Sequence, residues 1–457
     1  MNPVLILGGV LFIMALVAKP EWIAVFFFTV TIADINFEAG PLNMRALVGL
    51  ALFGRTLIAK PSENQPGFFS IGGIQMIFTF LGYTVLITSL YDLWGDRFMK
   101  STFLTVISVY CGYYYFFKKG NTDILKSALI LSGLICFSDL AYTYVTAGEF
   151  PVQRIFMVLM HLPHEVDETG KLAELYNHNF FGLVCGMTFI FLLNEFISDR
   201  LKSKLLLIMM PLMALGVLMS TSRSSLLAMI VLSLFLMIRE LKDKSKAKKV
   251  YRIFALLMFA VFLSLFVFTF AQDYLHLSSE FIDNVTNRLV DEPIQVINKN
   301  LGKNYKAENL DALDWREVAS TVAYEKFMAY SFIEQLFGIG TGGFLARGGG
   351  HLGLNPHNGP LLLVIESGIV GLAFYFFMLV FAVKKSFSRP IVSSCALVTI
   401  FMIIYCLGQN EELTNSSTLL FVTTLISENK RLAMAEAEAD EQDPPAEIPE
   451  FSYDYPE

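Results

Sequence analysis

Long apolar runs recur along this 457-residue chain, near 3–18, 21–36, 42–59, 71–91, 101–117, 124–146, 178–198, 203–220, 223–239, 252–271, 358–383, 391–408 and 413–427. A helix needs about 20 such residues to cross a hydrocarbon layer of about 30 Å, and in lipid it must satisfy its own backbone amides. The expected fold is therefore an all-α integral membrane protein, a polytopic bundle of about 12–13 transmembrane helices. The count turns on the first two runs, which are short. Charged residues make up only 16% of the chain and hydrophobic ones 54%. Soluble domains carry about 25% charge, so the three soluble domains that length alone would suggest are set aside.

The first run, "VLILGGVLFIMALVA", has no basic leader and ends in "KPEW" rather than at a small-residue cleavage site. It is expected to be a retained helix, not a secretory signal. All five cysteines (Cys111, Cys136, Cys185, Cys395, Cys406) fall in apolar runs without CxxC spacing, which fits unpaired packing residues. The net charge of −7 is concentrated at the end, where "EAEADEQDPPAEIPEFSYDYPE" combines acid with four prolines. From 429 to 457 a disordered acidic tail is expected. Without it the body is near neutral, and nothing points to nucleic acid.

Basic residues in short loops stay in the cytoplasm. "RELKDKSKAKKVYR" (239–252) carries seven Lys or Arg and "DRLKSK" (199–204) three. "KKG" at 118–120, "KKSFSR" at 384–389 and "NKR" at 429–431 agree with the same orientation. Counting outward from these loops puts the tail in the cytoplasm and two long segments, 147–177 and 272–357, on the external face. The turn "STSRSS" (220–225) opens to that face as well. The chain thus divides into an N-terminal transmembrane bundle of about ten spans (1–271), a large external loop (272–357), C-terminal transmembrane helices (358–428) and the tail (429–457).

Within the loop, "DWREVASTVAYEKFMAYSFIEQLFG" has apolar residues at 318, 322, 327, 328, 332, 333, 336 and 337, an approximate helical stripe. Asp314 and Glu317 match a capping box, which would put Arg316 in the first turn, and "GIGTGGF" should end the helix. Such an amphipathic helix could lie on the membrane surface or cover a cavity.

Several residues could carry chemistry. Arg223, beside Thr221 and Ser222 at the outer end of an apolar run, either faces a cavity or ligand or snorkels to the headgroups. Arg316 sits unfavourably for the helix dipole, which argues weakly for a purpose beyond a solvated surface. Arg288 and Arg347 are weaker candidates in the same loop. In "NPHNGP", Asn358 can cap the next helix and hold the His357 imidazole at the interface, beside helix-terminal amides that favour an anion; the alternative is a histidine bonded within its own turn. Glu366 lies nine residues further on, on the opposite face of a regular helix, and needs a polar partner or cavity. His178, with Asn177 and Asn179, begins another external helix, where it either caps or contacts an acceptor. HExxH, GxxxxGK[ST] and GxSxG are absent. The carboxylates Glu436, Glu438 and Asp440 belong to the tail, so no metal site is expected at the outer face and no cofactor is implied.

"STSRSSLLAMIV" (220–231), "DWREVASTVAYEKF" with "LFGIGTGGF" (314–344) and "NPHNGPLLLVIESGIVGL" (355–372) occur in an order that resembles the O-antigen ligase and polysaccharide polymerase superfamily of bacterial inner membranes. The motifs run from 220 to 372, about a third of the chain, within a similar region of about 203–375, and the remaining spans agree only in hydropathy and number. It implies a metal-independent, GT-C-like glycosyltransferase that moves a glycan from undecaprenyl pyrophosphate to an acceptor hydroxyl on the external face. By that resemblance Arg223 and Arg316 would hold the pyrophosphate, and His357 would serve either as base or as phosphate ligand. The implied partners are the lipid-linked donor, a glycan or lipid acceptor, membrane lipids and polysaccharide-assembly proteins. This chain departs from the pattern in the glycine-rich "RGGGHLGL" before Asn355 and in its long acidic tail.

Two competing classes remain at this stage. A polysaccharide or lipid transporter or flippase should show internal repeats and broken helices with ionisable groups near midplane. No repeat is visible, and Asp139 and Glu366 are the ionisable residues that would fit. An inactive assembly subunit would not need arginines and a histidine on one face.

Overall fold

The computed structural model describes residues 16–34, 38–39, 42–58, 67–147, 178–201, 205–241, 311–348, 356, 358–389, 392–409 and 415–442, with isolated positions at 13 and between 251 and 295. These residues form α1 (Pro20–Ile32), a two-residue hairpin β1 (Glu38–Ala39) and β2 (Leu42–Asn43), α2 (Met44–Ile58), α3 (Gly72–Leu90), α4 (Asp96–Gly112) and α5 (Asp123–Ala147). There follow α6 (His178–Ile197), α7 (Leu205–Met219), α8 (Arg223–Leu241), three loop helices α9 (Asp311–Ala329), α10 (Phe332–Phe337) and α11 (Gly343–Ala346), then α12 (Gly359–Phe387), α13 (Ser394–Cys406) and α14 (Ser416–Gln442). The chain is an all-α membrane protein. Among the described residues, five helices are long and apolar enough to cross a bilayer, α3, α5, α6, α8 and α12, while α1, α7 and α13 are shorter apolar helices. The run expected at 3–18 lies outside the described residues apart from 13 and 16–18, that at 252–271 apart from isolated positions, and the long segment 148–177 altogether.

Helix α6 is the hub. It is apolar all round, and 94% of its span is buried against α5, α7, α8 and α13. A helix without a polar face belongs inside a bundle. Hydrophobic attraction is weak between helices in lipid, so close approach through small residues matters. Gly186 lies under the Phe401 ring, Gly182 under Ser220, and Gly133 of α5 against Thr188, and a Cβ at any of these would overlap the neighbour.

At the end of α4 the run "YYYFFK" winds as a π-helix, Tyr113–Lys118, with its five aromatic residues all buried. The wider turn presents consecutive large rings to α14 and α1, where Tyr115 donates to Pro20 O at 3.2 Å.

The two ends of the bundle differ in chemistry. At one end Arg239 of α8 donates to Arg389 O at 2.5 Å, and Arg200 pairs with Glu195 at 2.9 Å and reaches Ser394 Oγ at 3.3 Å. Ser393 bonds Glu428, Asn429 donates to Ala382 O at 2.8 Å, and the Arg431 guanidinium packs on Gly120. The five basic loops thus supply residues to one end, as expected of a single orientation. The opposite end gathers the starts of α6, α8 and α12, the last turn of α7, the loop after α3 and the turn after α13.

The structure corrects four expectations. The helix that the tail was expected to follow does not stop at 428: α14 continues to Gln442, so Glu436, Glu438 and Asp440 lie on a helix; 443–457 are outside the described residues. Its 27 residues span about 40 Å, more than a hydrocarbon layer needs, so its final turns project past the basic end. The helix expected from Asp314 begins at Asp311, which places Arg316 in the second turn and removes the dipole argument. It also ends at Ala329, and the capping box is Ser331 with Glu334, opening the separate helix α10. Finally, the buried face of α9 is Ala319, Ala323 and Phe327, whereas Val318, Met328, Phe332, Ile333 and Phe337 of the expected stripe are exposed.

Candidate functional site

The span expected at 358–383 is continuous in sequence but not in backbone. Within α12, Gly368 has φ 70 and ψ 178, a conformation open only to glycine, and the helix is broken there. A break frees carbonyls that lipid cannot satisfy, and the segment after α10 supplies donors. Ile339 N donates to Ile365 O at 3.2 Å and Gly340 N to Glu366 O at 2.9 Å. The Tyr83 hydroxyl bridges Ser367 O at 2.7 Å and Phe337 O at 2.8 Å. Gly342 N donates to Glu366 Oε1 at 2.7 Å, and Thr341 N to Thr88 Oγ1 at 3.0 Å. The loop's own backbone is thus a polar partner for Glu366. Gly338, at φ 87, crosses Gly368 so closely that a side chain on either would overlap the other's backbone. Gly338 makes this crossing possible, and Gly340, at φ 85, comes close to the backbone of Thr88.

Around the same half-helix, Ala323, Phe327, Ile339, Phe344, Leu362 and Ile365 form a second small core, which fixes α9–α11 on α12. Asn358 caps α12, as expected, its Oδ1 accepting from Leu361 N at 3.0 Å. Arg347 is engaged: it pairs with Glu334 at 2.6 Å and stacks 4.8 Å above the Tyr91 ring. The Arg347 guanidinium, with Ser331, holds the Glu334 carboxyl below its ordinary value, and Glu334 raises Arg347 in turn.

Arg223 opens α8 on the other side of this end. Its turn is tightly built. Ser222 caps the helix, with Oγ 3.4 Å from Ser225 N and 2.9 Å from Ser225 Oγ, and Ser220 Oγ donates to Val217 O at 2.7 Å. Thr221 is β-branched yet has φ 51, an uncommon and strained state for such a residue. Arg223 itself is half-buried, with the first amides of a 19-residue helix beside it. Gly182 of α6 and Gly408 after α13 flank the turn, each close enough that a Cβ would meet a serine.

Of the other expected site residues, His178 begins α6 and Arg316 lies on α9, but their side chains fall outside the described residues. Asn177, Arg288 and His357 lie outside them altogether, His357 between the described Pro356 and Asn358. Asp139 is 1% exposed within α5. Three features escaped the sequence reading. The SxxE signal at Ser331 was available. The role of Tyr83, 284 residues from Ser367, left no local trace. Gln409, buried beside Ser224, is masked by the turn-like "LGQNEE" around it.

These helices define a polytopic membrane protein in which α9–α11 are seated on a broken helix. The family model described as O-Antigen ligase matches residues 208–376, and over this segment the chain is similar to that family. No curated protein matches the chain.

Proposed function

We propose that the protein transfers a glycan from undecaprenyl pyrophosphate to an acceptor hydroxyl at the outer face of the bacterial inner membrane, as a surface polysaccharide polymerase or O-antigen ligase. The observation that carries this is the family segment 208–376, which contains Arg223 at the head of α8. Arg223 and Arg316 hold the pyrophosphate. Planar guanidiniums pair bidentately with phosphate oxygens and neutralise the leaving group where water is scarce, which does the work of a metal ion. His357 either accepts the proton of the attacking sugar hydroxyl or hydrogen-bonds a phosphate oxygen. Asn358 sets the start of α12 beside it, and Arg288, Asn177 and His178 are further substrate contacts from the long external segments.

A broken helix beside Glu366 is also what a transporter would use to bind cargo. Here loop amides and the Tyr83 hydroxyl already occupy the carbonyls of Ile365, Glu366 and Ser367, which favours the transferase. The test is transfer from a lipid-linked glycan by Arg223→Ala, Arg316→Ala and His357→Ala, each inserted normally. Loss in all three is expected; retained transfer in all three would overturn the assignment.

A further inference from the structure

The turn after α13 ends in Gly408 and Gln409, laid against the N-terminus of α8. Gln409 is 0% exposed, and its Nε2 donates to Ser224 Oγ at 3.3 Å. Its carbonyl oxygen has no hydrogen-bond partner among the described residues. Gly408 permits this approach, because a Cβ there would lie about 2.6 Å from Ser224 Oγ. A buried acceptor left open is rare and costly in folded proteins, and a ligand bearing a donor would complete it. The amide group therefore marks a polar ligand at the head of α8, independently of the helix terminus itself.

We propose that Gln409 is a positioning residue of the donor site, resting on the function proposed above. A hydroxyl has one hydrogen and two lone pairs. Donation from Gln409 Nε2 fills one lone pair of Ser224, so the Ser224 hydrogen is directed away from Gln409. Ser224 adjoins Arg223 in the first turn of α8, where the helix amides favour an anion, and the outward hydroxyl hydrogen goes to a phosphate oxygen of the lipid pyrophosphate. Phosphate oxygens offer acceptors only, so the donor that satisfies the Gln409 carbonyl is a hydroxyl of the sugar attached to the pyrophosphate. One amide thereby orients a phosphate contact with its nitrogen and meets the sugar with its oxygen.

The experiment is binding of undecaprenyl pyrophosphate, and of undecaprenol as control, to the full-length protein in nanodiscs. Gln409→Met and Ser224→Ala should each weaken pyrophosphate binding about tenfold, the scale of one hydrogen bond to a charged group. The double variant should lose no more than either single one, and Ser224→Thr, which keeps the hydroxyl, should bind as wild type. Undiminished binding by Gln409→Met, or losses that multiply in the double variant, would overturn the proposal while leaving the proposed function standing. Should Gln409→Met fail to fold, Ser224→Ala against Ser224→Thr decides, because equal affinity of these two removes the hydroxyl from the site. If wild type binds undecaprenyl pyrophosphate no better than undecaprenol, the proposed function falls and this inference with it.

Discussion

At the residue scale the proposed chemistry separates into charge and geometry. If His357 is the base, His357→Ala should lower the turnover number about 100- to 10,000-fold with little change in donor affinity; if it is a phosphate ligand, the Michaelis constant should rise instead. Steady-state kinetics on one lipid-linked donor distinguish the two. Arg316→Lys keeps the positive charge and loses the bidentate fork, so it should recover only part of what Arg316→Ala loses. Arg347 belongs to another category. Its pairing with Glu334 and its place over Tyr91 tie α10 to the loop after α3, so Arg347 serves first to hold α10 and α11 in place.

At the element scale, the junction of the glycine turn with broken α12 is the feature that seats the loop. Gly368→Ala would place an L residue at φ 70 and push its Cβ into Leu336 O and Gly338 N. The conformation alone costs about 1–3 kcal/mol, and the overlap adds to it. Thermal unfolding in detergent should fall markedly, together with glycan transfer. The exposed apolar side of α9 and α10, with Phe332 at 76% and Ile333 at 66% exposure, suits the membrane interface rather than water. Phe332→Trp in bilayers should give added fluorescence that brominated acyl chains quench; unquenched emission would put α10 in water.

At the scale of the whole molecule, five basic loops share one end, so a single orientation satisfies all of them. A green fluorescent protein fused after residue 457 should fluoresce, and alkaline phosphatase fused there should be inactive; the reverse would place the basic end outside. The bundle was largely legible in advance, because apolar runs such as 178–198 and 223–239 fall within two residues of α6 and α8. Lipid demands long apolar helices and leaves little else for such runs to become. The site was legible only in part. The "STSRSS" turn and the Asn358 cap are local and could be read, whereas the capping box was placed one helix too early because DxxE and SxxE occur in the same stretch.

By itself the sequence determined the class of fold, the placement of most helices and the segment that resembles the O-antigen ligase family, since hydropathy, basic-loop bias and glycine turns act over a few neighbouring residues. Tertiary structure alone decided that α12 breaks at Gly368, that the loop's amides and Tyr83 fill the break, and that Gln409 lies against Ser224. Those contacts join residues 26 to 284 positions apart. Their partners are set by how helices pack, which local periodicity does not encode.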